Sequence, residues 1–158
     1  MKLFKEVALA TALTLAAFVA PTPAEAHEIK FKDLVIVHPW ARKSPMGADV
    51  AAGFMSITNN GKEDDKLISA TAEVAPMVQL HDMKMEGDVM KMFEVPGGIA
   101  IPAGATVDLK PKHMHVMFMK MPKELPPVDT MFKGTLTFEK AGTVEIEYDV
   151  ADPNAGMN

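Results

Sequence analysis

From residue 29 onward the chain breaks into short runs of alternating or continuous apolar residues, each closed by a turn signal. This rhythm restricts the fold more than any other feature. "IKFKDLVIVH" stops at Pro39, "VAAGFMSITNNG" ends in Asn-Asn-Gly, and "KLISATAEV" runs to Pro76. "MVQLHDMKM" and "VMKMFEV" flank Glu86-Gly87-Asp88, and "TVDLK" follows "IPAGA". "HMHVMFMKM" ends at Pro122, and "FKGTLTFE" and "GTVEIEYDV" complete the series. In the last run Val144, Ile146 and Tyr148 alternate with Glu145, Glu147 and Asp149. That period of two is the signature of a strand with one buried face. Eight or nine such strands with little helical period predict an all-β sandwich or barrel.

The residues before this region read differently. Lys2 and Lys5 precede an apolar run over 7–20, followed by Pro21, Pro23 and Ala24-Glu25-Ala26. A basic start, a short apolar stretch and an A-x-A site predict a secretory signal peptide over 1–26, cleaved after Ala26. The apolar run is shorter than the ~18–20 residues that span a bilayer. The expected division is a signal peptide at 1–26, one β-sandwich domain at 27–150 and a flexible tail at 151–158. The mature chain is expected to be periplasmic, without a membrane span.

The formal net charge is −5, and no basic stripe is visible, which argues against a nucleic-acid partner. Cysteine is absent. That excludes a disulfide framework, thiol redox chemistry, a cysteine zinc site and a blue-copper centre within these residues.

Methionine is abundant, at 14 residues, and its positions are informative. A thioether fills irregular cores and is also a soft metal ligand. In "PKHMHVMFMKM" the period of two puts His113, His115, Met117, Met119 and Met121 on one face. His115 and Met117 stand roughly 6.5–7 Å apart along the strand, close enough to share an ion. In "HDMKMEGDVMKM" a two-residue Gly87-Asp88 turn of type II′ would pair Glu86 with Val89, Met85 with Met90, Met83 with Met92 and His81 with Glu94. His81, Met83, Met85, Met90 and Met92 then share a face, with Lys84 and Lys91 on the other. Met55, Met77 and Met131 read as core filling, and Met46 and Met157 receive no role. His38, before Pro39-Trp40, reads as an ordinary surface or core histidine. From the residues alone, two readings of the donor faces stand side by side: a soft-metal site and a methionine-rich packing surface.

The stretches "HPWAR", "AAGFMSITNNG", "VQLHDMKMEGDVMKM", "IPAGATVDLKP" and "HVMFM" together resemble the periplasmic copper chaperones of the PCuAC family. The likeness runs over nearly the whole mature chain. Its specific part is a His, ten residues, a Met, about twenty-two residues and His-x-Met, which falls here on His81, Met92, His115 and Met117. Of His113 and His115, only His115 opens a His-x-Met. The resemblance implies a Greek-key, cupredoxin-like β-sandwich that binds Cu(I) through those four side chains. It implies delivery of copper toward the CuA centre of cytochrome c oxidase, with a copper-accepting oxidase subunit or another periplasmic copper chaperone as partner. Met83, Met90 and His113 are auxiliary donor candidates. A monomer is expected.

Neutral thioether and imidazole ligands suit Cu(I) and should hold it less firmly than thiolates, as a carrier requires. No nucleophile motif is present, so a non-enzyme is expected. A copper-buffering or resistance protein of the CopC or CusF kind is the alternative function. Cleavage before His27 would expose an α-amine beside an imidazole. This makes His27 a candidate for a second, Cu(II) site, with His113 or His38 as a third nitrogen.

Overall fold

The computed structural model describes residues 27–44, 47 and 49–157. The signal peptide expected at 1–26 lies outside the described residues. The described residues form eleven strands, in the order β1 (Glu28–Phe31), β2 (Leu34–Lys43), β3 (Ala51–Asn59), β4 (Asp65–Ala72), β5 (Met77–Glu86), β6 (Val89–Glu94), β7 (Ile99–Ile101), β8 (Thr106–Leu109), β9 (His115–Met119), β10 (Met131–Phe138) and β11 (Gly142–Val150). No helix occurs among the described residues, so none there is long and apolar enough to cross a membrane.

The all-β expectation holds, with more strands than expected. The run at 29–38 is two strands, because the chain reverses at Lys32-Asp33 with Lys32 in the left-handed region (φ 55°). The short strand β7, in the stretch before "TVDLK", is the second addition. It pairs with β4 through Leu67 and Ile99.

The sheet runs β6-β5-β9-β3-β2-β11-β10-β4-β7, with β1 also on β2 and β8 also on β3. β11 lies parallel to β2, and every other pairing is antiparallel. β4 also lies against β5, so the sheet curls back around one core. Phe118, Phe132 and Tyr148 meet at its centre, with ring centroids 5.1–5.5 Å apart. Edge-to-face and stacked pairs of this kind add about 0.5–1.5 kcal/mol each to the burial of the rings. Gly53 makes their packing possible. A Cβ there would lie 2.8 Å from Phe118 Cζ and 3.1 Å from Tyr148 Cε1.

Alternation decides what the core leaves outside. In β9, Val116 and Phe118 enter the core, so His115 and Met117 must take the opposite face. β9 ends at Met119, because Lys120 turns left-handed (φ 55°). His113 lies in the turn before the strand, after Lys112 at φ 69°. The single donor face expected over 113–121 is therefore only His115, Met117 and Met119. Met55 is core as expected, Met77 is half-buried, and Met131 is 46% exposed. In β10 the buried phase is Phe132, Gly134, Leu136 and Phe138, which leaves Met131 outside.

The segment after β11 docks back on the sheet. Ala151 N–H donates to Ala41 O (2.8 Å). The buried Arg42 guanidinium donates to Pro153 O (3.3 Å) and Ala155 O (2.8 Å).

Candidate metal centre

The β5–β6 hairpin turns at Gly87-Asp88 and pairs Glu86 with Val89, Met85 with Met90, Met83 with Met92 and His81 with Glu94, the register expected from the sequence. Gly87 has φ 63° while Asp88 keeps a negative φ, which is the type II′ arrangement. β5 pairs on its other edge with β9, so that His81 faces His115 directly and Gln79 faces Met117. Facing residues share a side of the sheet. This adjacency brings the two donor faces together.

His115 is 5% exposed and Met117 3%, whereas His81 and Met92 are half-buried. The imidazoles of His81 and His115 lie edge to face, centroids 5.8 Å apart. His115 Nδ1 lies 2.8 Å from His113 O. A carbonyl only accepts, so we assign the His115 proton to Nδ1, which leaves a lone pair on Nε2. That Nε2 is 3.1 Å from the Met92 sulfur, which has reached across β5. Neither atom has a proton to share. Two proton-free donors thus face each other. One soft metal ion could be held by His115 Nε2 and Met92 Sδ together.

His81 shows the same preparation. Its Nε2 is 2.9 Å from Gln79 Oε1, an acceptor, so we assign that nitrogen the proton. Nδ1 is then a buried lone pair, and it has no hydrogen-bond partner. Such an atom costs free energy unless something satisfies it. Burial lowers the pKa of both imidazoles. For His81 the neighbouring His115 lowers it further and Glu94 opposes. For His115 the bond to His113 and the charge of Asp82 oppose. Both rings are therefore neutral near pH 7, with their lone pairs available to a metal.

Phe54, on β3, backs the site with its ring 6.2 Å from that of His115. Trp40 packs on Phe54 at 4.5 Å, and the Arg42 guanidinium sits 5.7 Å from its centroid. These residues, and Gln79, were not foreseen. Only the spacing of Gln79 from His81, i−2 on the same strand face, could have pointed to it.

The auxiliary candidates separate. Met83 lies opposite Met92 and is half-buried. Met90 is 41% exposed at the hairpin tip, with Met85 opposite it. His113 shares a surface groove with Asp82, Met83 and Asp108 and gives the site only its carbonyl. His27 and His38 stand together elsewhere, each beside Asp149. Among the described residues no three His, Cys, Asp or Glu side chains form a closed ligand set. The convergence at His115 depends on thioethers.

Fold and donor face together define a cupredoxin-like β-sandwich of the PCuAC type. The family model described as "Putative lipoprotein LpqE-like" matches residues 34–150. The chain belongs to this LpqE-like family. A curated relative, "Putative lipoprotein Lxx21020" of Leifsonia xyli subsp. xyli, is 29% identical over 106 residues, 67% of this chain. The match spans 63% of that relative's length. Among solved structures, the copper-bound PCuAC domain from PmoF2 is 29% identical, with a TM-score of 0.67, covering 80% of this chain and 99% of that one. The apo PCuAC domain from PmoF1 is 28% identical at the same TM-score, covering 80% and 100%. The Cu(I) form of DR1885 from Deinococcus radiodurans is 25% identical with a TM-score of 0.60, covering 85% and 87%.

Proposed function

We propose that this protein is an exported copper chaperone. It carries one Cu(I) on His81 Nδ1, Met92 Sδ, His115 Nε2 and Met117 Sδ and passes it to a copper-accepting protein. The observation that carries this reading is the 3.1 Å approach of two proton-free donors, His115 Nε2 and Met92 Sδ. Two similar domains were solved with copper, one of them as Cu(I). This supports the choice of ion.

Copper is the cargo here, and the ligand set suits a cargo. All four groups are neutral, so the ion's charge stays uncompensated and a thiolate acceptor would bind it more firmly. His115 and Met117 form the buried half of the site, while Met92 comes from the outermost strand of the sheet. Met92 is thus the ligand an acceptor can displace first. The exposed methionines Met85 and Met90 continue the soft surface outward along the hairpin.

The acceptor that fits the PCuAC resemblance is the CuA site of cytochrome c oxidase. The alternative role is storage of copper without delivery. A transfer experiment separates them. Cu(I)-loaded protein is mixed with an apo-CuA domain and then separated by size. Delivery requires that copper leave with the acceptor. Copper that remains on this chain under excess acceptor would favour storage.

A further inference from the structure

We infer that Met92 is a site of reversible oxidation, at which a hydroperoxide converts the thioether to the sulfoxide and so closes the His/Met face to Cu(I). The consequence for copper rests on the carrier reading above. The oxidation itself rests only on chemistry and exposure.

The chain has no cysteine. A hydroperoxide therefore meets no thiol, and the thioethers are the softest nucleophiles it can attack. Exposure then ranks them. Met117 is 3% exposed and Met55 2%, whereas Met85, Met90, Met131 and Met157 are open to solvent. Met92 falls between these groups. It is half-buried, but it lies on β6, whose outer edge pairs with no other strand among the described residues. Of the two thioethers in the proposed ligand set, one is thus within reach of a small oxidant and the other is closed to it.

The step balances without a cofactor. A sulfur lone pair attacks one oxygen of hydrogen peroxide, the S–O bond forms and the O–O bond breaks. The hydroxide that leaves takes the proton from the transferred oxygen and departs as water. The thioether is oxidised by two electrons and the peroxide is reduced.

The product suits copper poorly. A sulfoxide oxygen is a hard donor, and Cu(I) prefers soft ones. The oxygen is also an acceptor only. The Met92 sulfur lies 3.1 Å from His115 Nε2, which carries a lone pair once Nδ1 donates to the His113 carbonyl. Two acceptors repel, so the oxidised and now polar side chain turns out past the sheet edge. The ligand set then lacks its outer member while the buried Met117 is kept, and reduction of the sulfoxide restores it. Met85 and Met90 face each other nearer the hairpin turn. They are oxidised sooner and without that loss, since neither belongs to the set.

The test treats copper-free protein with hydrogen peroxide, removes the excess with catalase and follows each methionine by peptide mass spectrometry. Met85 and Met90 should convert first and Met92 next, with Met117 at least tenfold slower than Met92. Cu(I) affinity, measured by chelator competition, should hold through the first phase. It should fall at least tenfold as Met92 sulfoxide accumulates, with the circular dichroism spectrum unchanged. Methionine sulfoxide reductases for both epimers should restore it. In Met92→Leu the same treatment should lower the residual affinity less than twofold. Conversion of Met92 no faster than Met117 would overturn the inference. So would Cu(I) affinity within twofold of the untreated protein once Met92 is converted, or a loss in Met92→Leu as large as in the wild type. Cu(I) titration of untreated protein reports separately on the carrier reading, because the order of oxidation does not depend on copper.

Discussion

His115 Nε2 lies 3.1 Å from the Met92 sulfur, although the two residues are separated by a whole strand in the order of the sheet. Met92 is on the edge strand and His115 on the strand beyond β5. Their meeting over His81 brings two separate soft faces together, and the expectations for copper below depend on that meeting.

Met92→Leu and Met117→Leu should both weaken Cu(I), but at different structural cost. A Leu for Met exchange roughly conserves volume and usually costs less than about 1.5 kcal/mol. Met92 is half-buried on an edge strand, so its loss should leave stability unchanged within about 0.5 kcal/mol. Met117, at 3% exposure, should show more of the cost. Competition with a Cu(I) chelator should give at least a tenfold loss of affinity in each, and urea denaturation should rank Met117→Leu as the less stable.

The pH response follows from burial. Both His pKa values are lowered from 6.5. Proton competition for copper should therefore begin below that pH, lower than for a free imidazole. Apo stability should decline with falling pH through the same window. Above about 6.5 neither state holds the extra proton. As pH falls below it the unfolded chain takes up protons that the folded imidazoles refuse, and stability declines until the folded values are reached. Urea unfolding of apo protein between pH 7.5 and 5 should show this decline, and His115→Gln should reduce it. A wild-type decline that is unchanged in His115→Gln would assign it to other groups.

Gln79 should matter without touching copper. It accepts from His81 Nε2–H and so orients the ring with Nδ1 toward use as a ligand. Partners of this kind typically change metal affinity by about 10–100-fold. Gln79→Leu should lower Cu(I) affinity in that range, and Gln79→Glu, which keeps an acceptor, should restore much of it. Equal losses in both variants would point to packing rather than orientation.

Asp65 controls stability far from the site. Its Oδ1 accepts from Lys66 N (2.7 Å) and Lys140 N (2.9 Å), and Oδ2 accepts from Ala141 N (3.0 Å), which ties the start of β4 to the β10–β11 turn. Burial alone would raise its pKa. The backbone donors, with Lys140, win, and it is lowered. A depressed acid contributes stability above its unfolded pKa and loses it as pH falls through the folded one. Asp65→Asn should cost about 1–3 kcal/mol at pH 7, through the acceptor lost at Ala141, and much less once pH has fallen through the lowered folded value. A cost that does not vary with pH would contradict this.

Much of the site's local structure was legible, because turn chemistry is local. Gly87-Asp88 specifies a tight hairpin, and the hairpin places His81, Met83 and Met92 on one face by counting alone. The period of two put His115 and Met117 together by the same logic. The adjacency of β5 and β9 was not legible, because sheet order is set by long-range packing that no single run records. For that reason only the family resemblance joined His115 with Met92 at the level of sequence, and the Phe54 backing and the pairing of Gln79 with Met117 came from the structure. Lys32 and Lys120 end or split strands at positive φ, and lysine carries no signal for that conformation. Met131 was misplaced because its run is apolar on both phases near its start, and only packing chose Phe132 for the core.

X-ray absorption at the copper edge on Cu(I)-loaded protein tests the central claim most directly. Two nitrogen scatterers from imidazole and two sulfur scatterers are expected per copper, falling to one sulfur in Met92→Leu and to one imidazole in His115→Gln. A copper shell with no sulfur in the wild-type protein, or one unchanged in both variants, would contradict it.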